Sequence, residues 1–111
     1  MRAHVLIEDR ASSVAWARSL LESGEFCVLD SESTGLKPPV EFVEIAVVDA
    51  GASTLFEGTV RPVCRIEPGA TRVHGHTARS LASSPPFWEV YPDLLEVLLG
   101  KEGNRLQRLL R

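Results

Sequence analysis

Three short segments rich in β-branched and aromatic side chains constrain the fold most strongly. They comprise residues 26–30 (FCVLD), 42–50 (FVEIAVVDA) and 54–61 (TLFEGTVR). Such side chains pack well on a pleated surface, and the Gly51-Ala52-Ser53 sequence between the last two segments is typical of a turn. Consecutive strands joined by short turns pair antiparallel. The sequence therefore predicts a three-stranded antiparallel meander.

Helical patterns flank the three strands on both sides. Residues 10–22 place apolar side chains on one broad stripe and end before Ser23-Gly24, a helix stop signal. Residues 86–99 predict a second helix, and Pro92 must lie in its first turns or kink it. The intervening residues 62–86 contain four prolines and predict a loop with one helical turn. We therefore expect an α/β fold.

The length and composition narrow the class of protein. The chain has 111 residues, of which 44% are hydrophobic and 24% are charged. This is enough for one domain, residues 1–111, but not for two. No apolar run approaches the roughly 20 residues that cross a bilayer, and the first ten residues lack the apolar core of a secretion signal. We therefore expect a cytoplasmic protein with no membrane partner.

Cys27 and Cys64 cannot form an all-cysteine zinc site, and we expect both to be buried.

Charge is distributed unevenly along the chain. Residues 22–49 contain seven acidic side chains and one basic side chain, Lys37, whereas residues 61–79 contain four arginines and one acidic side chain, Glu67. The net charge of −3 excludes a uniformly basic nucleic-acid-binding protein. The pattern indicates an acidic region followed by a basic one.

Two carboxylates form the strongest candidate site. Asp30 and Glu32 lie two residues apart at the end of the first predicted strand, so period-two geometry directs both to one face of the sheet. Mg²⁺ and Mn²⁺ prefer oxygen ligands, and Mg²⁺ is often held by one or two carboxylates together with water and substrate phosphate. The pair therefore predicts a divalent-cation site, although such a triplet can also simply cap a loop.

The residues around this pair are similar to a known motif. The string LDSESTGL (residues 29–36) resembles the first motif, LD-x-E-T-T-G-L, of the DEDD family of 3′-to-5′ exonucleases, with Ser33 in place of threonine. Further segments follow in the order and at the spacing of the DnaQ-like branch, which includes the epsilon proofreading subunit of bacterial DNA polymerase III. They are VEIAVVD (43–49), FEGTVRP (56–62), IEPGATRVHGHT (66–77) and PPFWEVYPDLLEVLLG (85–100). The resemblance covers about residues 12–100.

The resemblance implies a ribonuclease-H-like fold and a role for each matching residue. Asp30 and Glu32 would be the catalytic, metal-binding carboxylates of the first motif, with Mg²⁺ or Mn²⁺ as cofactor. The terminal nucleotide of a single-stranded DNA or RNA 3′ end would be cradled by Ser33, Thr34, Gly35 and Leu36, with His74 near the nucleoside pocket. The implied activity is metal-dependent hydrolysis of nucleic-acid 3′ ends, of the DNA proofreading or repair type.

Three positions leave alternatives open. His74 could equally be a loop histidine that is hydrogen-bonded to the main chain. His76 replaces the isoleucine that is usual in the family, which leaves a metal site of His74, His76 and Cys64 as an alternative. Glu44 matches a recurrent acid of the second strand and either assists the site or faces solvent.

The resemblance ends after Gly100. Family members continue with a strand carrying a further aspartate, and then with a motif that contains a general-base histidine and a last aspartate. Residues 101–111 (KEGNRLQRLLR) contain neither residue type, so two of the four expected carboxylates and the base are absent. We expect these 111 residues alone to be inactive or nearly so. We also expect a truncated fold whose first strand has an open edge that a polymerase or a second chain could complete.

Two further functions stay open at this point. A non-catalytic nucleic-acid-binding remnant would use the basic segment, with Trp88 or Tyr91 stacking on bases. Its phosphate contacts would come from Arg61, Arg65, Arg72 and Arg79. A scaffold for a polymerase partner would use the leucine stripe of the tail, Leu106, Leu109 and Leu110.

Overall fold

The computed structural model describes the main chain of residues 3–100 and the side chains of residues 9–100. The atypical tail, residues 101–111, lies outside the described residues together with its predicted leucine stripe. The elements in chain order are α1 (Ala3–Ser23), β1 (Cys27–Ser33), β2 (Phe42–Asp49), β3 (Thr54–Thr59), α2 (Pro68–His74) and α3 (Phe87–Leu99). No helix within residues 3–100 is both long enough and apolar enough to span a membrane.

The three strands form one antiparallel sheet in the order β1-β2-β3. Leu29 of β1 lies opposite Val47 of the central strand, and Val47 lies opposite Phe56 of β3. This sheet is the predicted meander, and it confirms the α/β class with the helix, meander and helix order of the ribonuclease-H-like exonuclease fold. In the described part of the chain β1 lies at the edge of the sheet, where Val28 is 51% and Leu29 is 42% exposed.

A turn capped by a side chain joins β2 to β3. Asp49 Oδ1 accepts hydrogen bonds from the main-chain N–H groups of Gly51 and Ser53, each at 2.9 Å. Ala52 has a φ of 64°, which is the left-handed region that favours glycine. The aspartate supplies the local acceptor that reverses the chain, so the register of β3 on β2 is fixed by contacts within five residues.

The core lies between one face of the sheet and α3. On β2, Val43, Ile45 and Val47 are fully buried, whereas the residues between them are only partly buried, as the period-two geometry of a strand requires. The stripe predicted on α3 packs on this face. The core cluster contains Ile45, Val47, Val60, Val90 and Leu94, with Cys27, Phe56, Phe87, Val97 and Leu98 packed against it. The opposite face of the sheet is the one that carries polar side chains.

Hydrogen bonds fix the start of α3 beside the end of β3. Arg61 N–H donates to Pro85 O at 2.9 Å, and the hydroxyl oxygens of Thr59 and Ser84 are 2.6 Å apart. Pro86 is the N-cap residue in extended backbone, and Pro92 lies within the second turn of α3. The helix therefore begins where the proline pair predicts it and continues through Pro92.

Several boundaries differ from those predicted by the sequence. β1 continues to Ser33, three residues beyond its predicted end, because Ser31 and Glu32 still pair with β2. α1 begins at Ala3 instead of residue 10, since residues 3–9 contain no Gly or Pro to interrupt a helix. The segment between β3 and α3 contains the seven-residue helix α2 in place of a single turn.

The apolar stripe of α1 is largely exposed in the described part of the chain. Val14, Trp16 and Leu21 are 48%, 66% and 67% exposed, whereas Ala17 and Leu20 are partly buried. The helical period predicted the element, but it does not specify what the stripe packs against.

Candidate active site

Asp30 and Glu32 lie on the face of β1 that points away from the core. Their cross-strand partners on β2 are Ala46 and Glu44, which alternate with the buried core residues of that strand. The two carboxylates therefore share one side of the sheet and lie within a strand, not in a loop. Among the residues whose side chains are described, neither carboxylate has a hydrogen bond or an ion pair. Both are available to water or to a cation.

A third carboxylate and a histidine lie on the same face. Glu44 is directly opposite Glu32 in the strand register, a position in which like charges repel. His76 Nε2 lies 2.6 Å from Glu44 Oε2. This pair ties the loop after α2 to the central strand. Sequence reasoning missed the contact because it joins residues 32 positions apart, and the only signal was that His76 departs from the family pattern.

Thr34 anchors the loop that follows β1. Its side chain is 1% exposed, so its polar groups need partners within the protein. The Thr34 N–H donates to Glu41 O at 2.9 Å, and Thr34 Oγ1 accepts from Glu41 N–H at 3.1 Å. The Thr34 carbonyl accepts from Glu67 N–H at 2.7 Å. These bonds close residues 34–41 into a fixed loop and join it to the start of α2.

Gly35 allows this loop to pass the Glu67 side chain. Its φ is 148°, a value that residues with side chains rarely adopt. A Cβ at this position would lie 1.4 Å from Glu67 Oε2 and 2.2 Å from Glu67 Cδ. The same Oε2 accepts a hydrogen bond from Lys37 N–H at 3.2 Å. Glu67 therefore holds the main chain on both sides of Leu36, whose side chain is 95% exposed.

Glu41 joins the loop to the segment after β3. Its carboxylate accepts hydrogen bonds from Val63 N–H at 3.0 Å and from Cys64 N–H at 2.5 Å. The Cys64 thiol and these main-chain donors lower the pKa of Glu41, against the opposing effect of burial. The Cys64 thiol donates to Thr34 Oγ1 at 3.4 Å. Burial and the neighbouring carboxylate raise the pKa of Cys64, which disfavours the reactive thiolate and makes this cysteine part of the loop framework.

His74 is bound to the main chain through both ring nitrogens. Its Nε2 lies 2.9 Å from Ser33 O, and its Nδ1 accepts from His76 N–H at 3.0 Å. Because Nδ1 accepts, Nε2 carries the proton and donates to Ser33 O. The ring thereby ties the end of α2 to the end of β1, which is the main-chain role that the sequence left open. A direct contact between His74 and a nucleoside stays a prediction.

The predicted cradle residues form one continuous segment. Ser33 Oγ donates to Gly35 O at 3.2 Å, and the buried Thr34 lies between them. The sequence did not predict the two carboxylates, Glu41 and Glu67, that fix this segment. Their partners lie 22 to 30 residues away along the chain, so no local pattern reports the contacts.

The donor set on the polar face fits a hard cation that also binds water and substrate oxygens. Asp30 and Glu32 offer carboxylate oxygens on one face, and Mg²⁺ commonly uses one or two carboxylates. Among residues 9–100 no group of three or more His, Cys, Asp or Glu side chains is placed to hold a metal ion. The alternative site of His74, His76 and Cys64 is therefore not formed, since the His74 ring and the Cys64 thiol are engaged elsewhere.

An antiparallel meander whose first strand carries two carboxylates without a partner among residues 9–100, followed by the loop that contains Gly35, is the arrangement that the resemblance to exonucleases predicts. The family model described as exonuclease, RNase T, matches residues 27–106. The chain therefore belongs to this exonuclease family. The uncharacterized exonuclease CP81 of Escherichia phage 186 is 30% identical over 63 residues, which are 57% of this chain and 32% of that protein. The chain thus spans about a third of the length of that curated relative.

Proposed function

We propose that this chain carries the metal-binding and nucleotide-cradling part of a DnaQ-like 3′-to-5′ exonuclease, and that its substrate is the 3′ end of single-stranded DNA or RNA. The observation that carries the proposal is the pair of carboxylates on one face of β1, which have no partner among residues 9–100 and lie directly before a loop whose main chain is fixed. The resemblance to DnaQ-like exonucleases further suggests a role in DNA replication, by proofreading or repair in the cytoplasm.

Each residue of the site has a separate role in this proposal. Asp30 and Glu32 hold a divalent cation, Mg²⁺ or Mn²⁺, through their free oxygens. When bound, the cation supplies positive charge beside the phosphate group of the substrate. Ser33, Thr34 and Gly35 keep the main chain close to the terminal nucleotide, and the exposed Leu36 offers an apolar surface to its sugar or base.

His74 acts in this proposal as a positioning residue. Its Nε2–H group holds Ser33 O, and its Nδ1 holds the main chain of the loop that carries His76. His76 in turn binds Glu44, which lies opposite Glu32. The two histidines thus connect α2 to the strand ends that carry the carboxylates. Loss of either ring would loosen the carboxylate geometry without removing a metal ligand.

The 111 residues alone should hydrolyse nucleic acid poorly. Two-metal hydrolysis needs ions about 3.5 to 4 Å apart, and general-base assistance typically contributes ~10² to 10⁴-fold. The sequence after Gly100 offers no Asp or His for these roles. A second chain could supply them at β1, which among residues 3–100 lies at the edge of the sheet with Val28 and Leu29 exposed, so that its main-chain groups can pair with another strand.

Nucleotide binding by the purified chain tests this function. We expect isothermal titration calorimetry to show binding of thymidine or uridine 5′-monophosphate in Mg²⁺, its loss in EDTA, and its loss in Asp30→Asn. Glu57→Gln is the matched control, because Glu57 is exposed on the same sheet two strands away, in register with Ala46. Binding that is independent of metal, or equal in Asp30→Asn, would contradict the proposal.

Release of nucleotides tests the expected inactivity. With a 3′-labelled single strand and Mg²⁺ or Mn²⁺, we expect the wild-type chain to release no more nucleotide than Asp30→Ala. Release by the wild type alone would show that a second copy, or an unassigned group, completes the site.

A non-catalytic nucleic-acid-binding function is the second candidate. It is favoured by the arginines after β3, which have no carboxylate partner in the described residues. Strand binding that is retained in Asp30→Asn, without any metal-dependent nucleotide binding, would support this second candidate over the first.

A further inference from the structure

A groove lies between the segment after β3 and α2, next to the loop of residues 34–41. Its volume is about 910 Å³. Six of the twelve residues that line it are basic or polar, and the other six are apolar. The basic and polar ones are Arg61, Cys64, Arg65, Thr71, Arg72 and Thr77. Arg79, the fourth arginine of the basic segment, does not line the groove.

The arginines of this groove have no ion-pair partner within the described part of the chain. No carboxylate of residues 9–100 lies within 4 Å of the guanidinium groups of Arg61, Arg65 or Arg72. The Arg61 guanidinium donates one hydrogen bond within the described residues, from Nη1 to Ala82 O at 3.4 Å. The two acids that the loop brings nearby are already occupied: Glu41 binds main-chain N–H groups of residues 63 and 64, and Glu67 binds Lys37 N–H. Three arginines without an ion pair among the described residues thus line one concavity, against the two nearby carboxylates of Glu41 and Glu67, and this leaves a local excess of positive charge.

Two hydrogen bonds connect the groove to residues 33–36, which are proposed to hold the terminal nucleotide. Cys64 lines the groove, and its thiol donates to Thr34 Oγ1 at 3.4 Å. Thr71 and Arg72 line it from α2, the helix whose last residue, His74, donates to Ser33 O. A strand that lies in the groove is therefore adjacent to the loop proposed to hold its terminal nucleotide.

We propose that this groove binds the phosphodiester backbone of a single nucleic-acid strand whose 3′ end enters the candidate active site. Guanidinium groups suit this ligand, because their planar donors pair with two phosphate oxygens at once. Contacts to phosphate groups carry no sequence information, so the proposed groove binds a strand independently of its base sequence. The proposal deepens the proposed exonuclease function and rests on it for the direction of the strand.

Salt-dependent strand binding tests the proposal. The probe is a fluorescein-labelled twelve-residue oligothymidylate in EDTA, and the readout is fluorescence anisotropy between 50 and 200 mM NaCl. The test variant is Arg65→Gln/Arg72→Gln, and the matched control is Arg79→Gln. All three side chains are exposed and have no ion pair among the described residues, so the variants should fold, which far-UV circular dichroism checks.

We expect the double variant to lose two phosphate contacts. The salt slope of log affinity then falls by about 1.4, since each contact contributes ~0.7 for single strands. Between 50 and 200 mM NaCl this makes the affinity loss of the wild type about sevenfold larger than that of the double variant. The slope of Arg79→Gln should match the wild type.

Three results would overturn the proposal. The first is the absence of strand binding by the wild type at 50 mM NaCl. The second is an equal slope in all three proteins. The third is equally tight binding of polyglutamate of matched charge, which would show an unselective anion site. Because EDTA removes any metal, a failure here is distinct from a failure of metal-dependent nucleotide binding at Asp30.

Discussion

Replacing Gly35 with alanine should lower the free energy of unfolding of the chain, for two reasons that an experiment can separate. The first is backbone strain, because the φ of 148° is nearly confined to glycine and costs about 1–3 kcal/mol for other residues. The second is displacement of Glu67, whose Oε2 lies 1.4 Å from the new Cβ. The Glu67 side chain can swing away, but it then loses the bond from Lys37 N–H, worth about 1 kcal/mol.

The sum is a loss of about 2–4 kcal/mol in the free energy of unfolding. Urea denaturation followed by circular dichroism measures it. A double-mutant cycle isolates the second contribution, because Glu67→Ala removes the obstructing side chain. In that background Gly35→Ala should cost about 1 kcal/mol less than in the wild type.

Gly69→Ala is the matched control. Gly69 lies in α2, and a Cβ there would meet nothing within 4 Å. We expect this change to stabilise the chain by about 0.4–1 kcal/mol. Equal costs of Gly35→Ala with and without Glu67 would refute the packing explanation, and a cost of Gly69→Ala similar to that of Gly35→Ala would refute both.

Two further substitutions test the turn of the meander and the hydrogen bonds of the Glu41 carboxylate to residues 63 and 64. Ala52→Gly should raise the free energy of unfolding by about 0.5–1 kcal/mol, because φ is 64° there, and so raise the urea midpoint. An unchanged or lower midpoint would count against this explanation. The pKa of Glu41 is lowered on folding, so its contribution is present above its usual pKa of 4.5 and is lost as pH falls through the folded-state value. Urea denaturation between pH 7 and pH 3 should therefore show an acid-dependent loss in the wild type that is smaller in Glu41→Gln; parallel curves would exclude the clamp.

Local patterns were sufficient to predict the sheet and the second long helix. The β-branched runs and the turn at residues 51–53 specify the meander, and the stripe from Phe87 to Leu98 specifies the face of α3 that packs on it. The end of β1 was misplaced because Ser31, Glu32 and Ser33 are polar and resemble a loop. Their strand conformation depends on pairing with β2, which is a long-range effect.

The site was predictable only in part, for the same reason. The spacing of Asp30 and Glu32 predicted that both lie on one face of the sheet. The resemblance to the exonuclease motif predicted that the residues after them form the nucleotide-binding loop. The clamps by Glu41 and Glu67 depend on tertiary contacts with no sequence period. His74 shows a further limit, because a histidine that binds the main chain and one that binds a ligand look alike in sequence.

Titration with Mn²⁺, followed by electron paramagnetic resonance of the free ion, tests most directly whether the carboxylates of β1 form a cation site. Asp30→Asn removes one proposed ligand. Glu57→Gln removes an exposed acid of β3 that lies on the same face of the sheet as Asp30. We expect the wild type and Glu57→Gln to bind one Mn²⁺ with the same affinity and Asp30→Asn to lose this binding. Equal binding by Asp30→Asn, or an equal loss in Glu57→Gln, would contradict a metal site at Asp30 and Glu32.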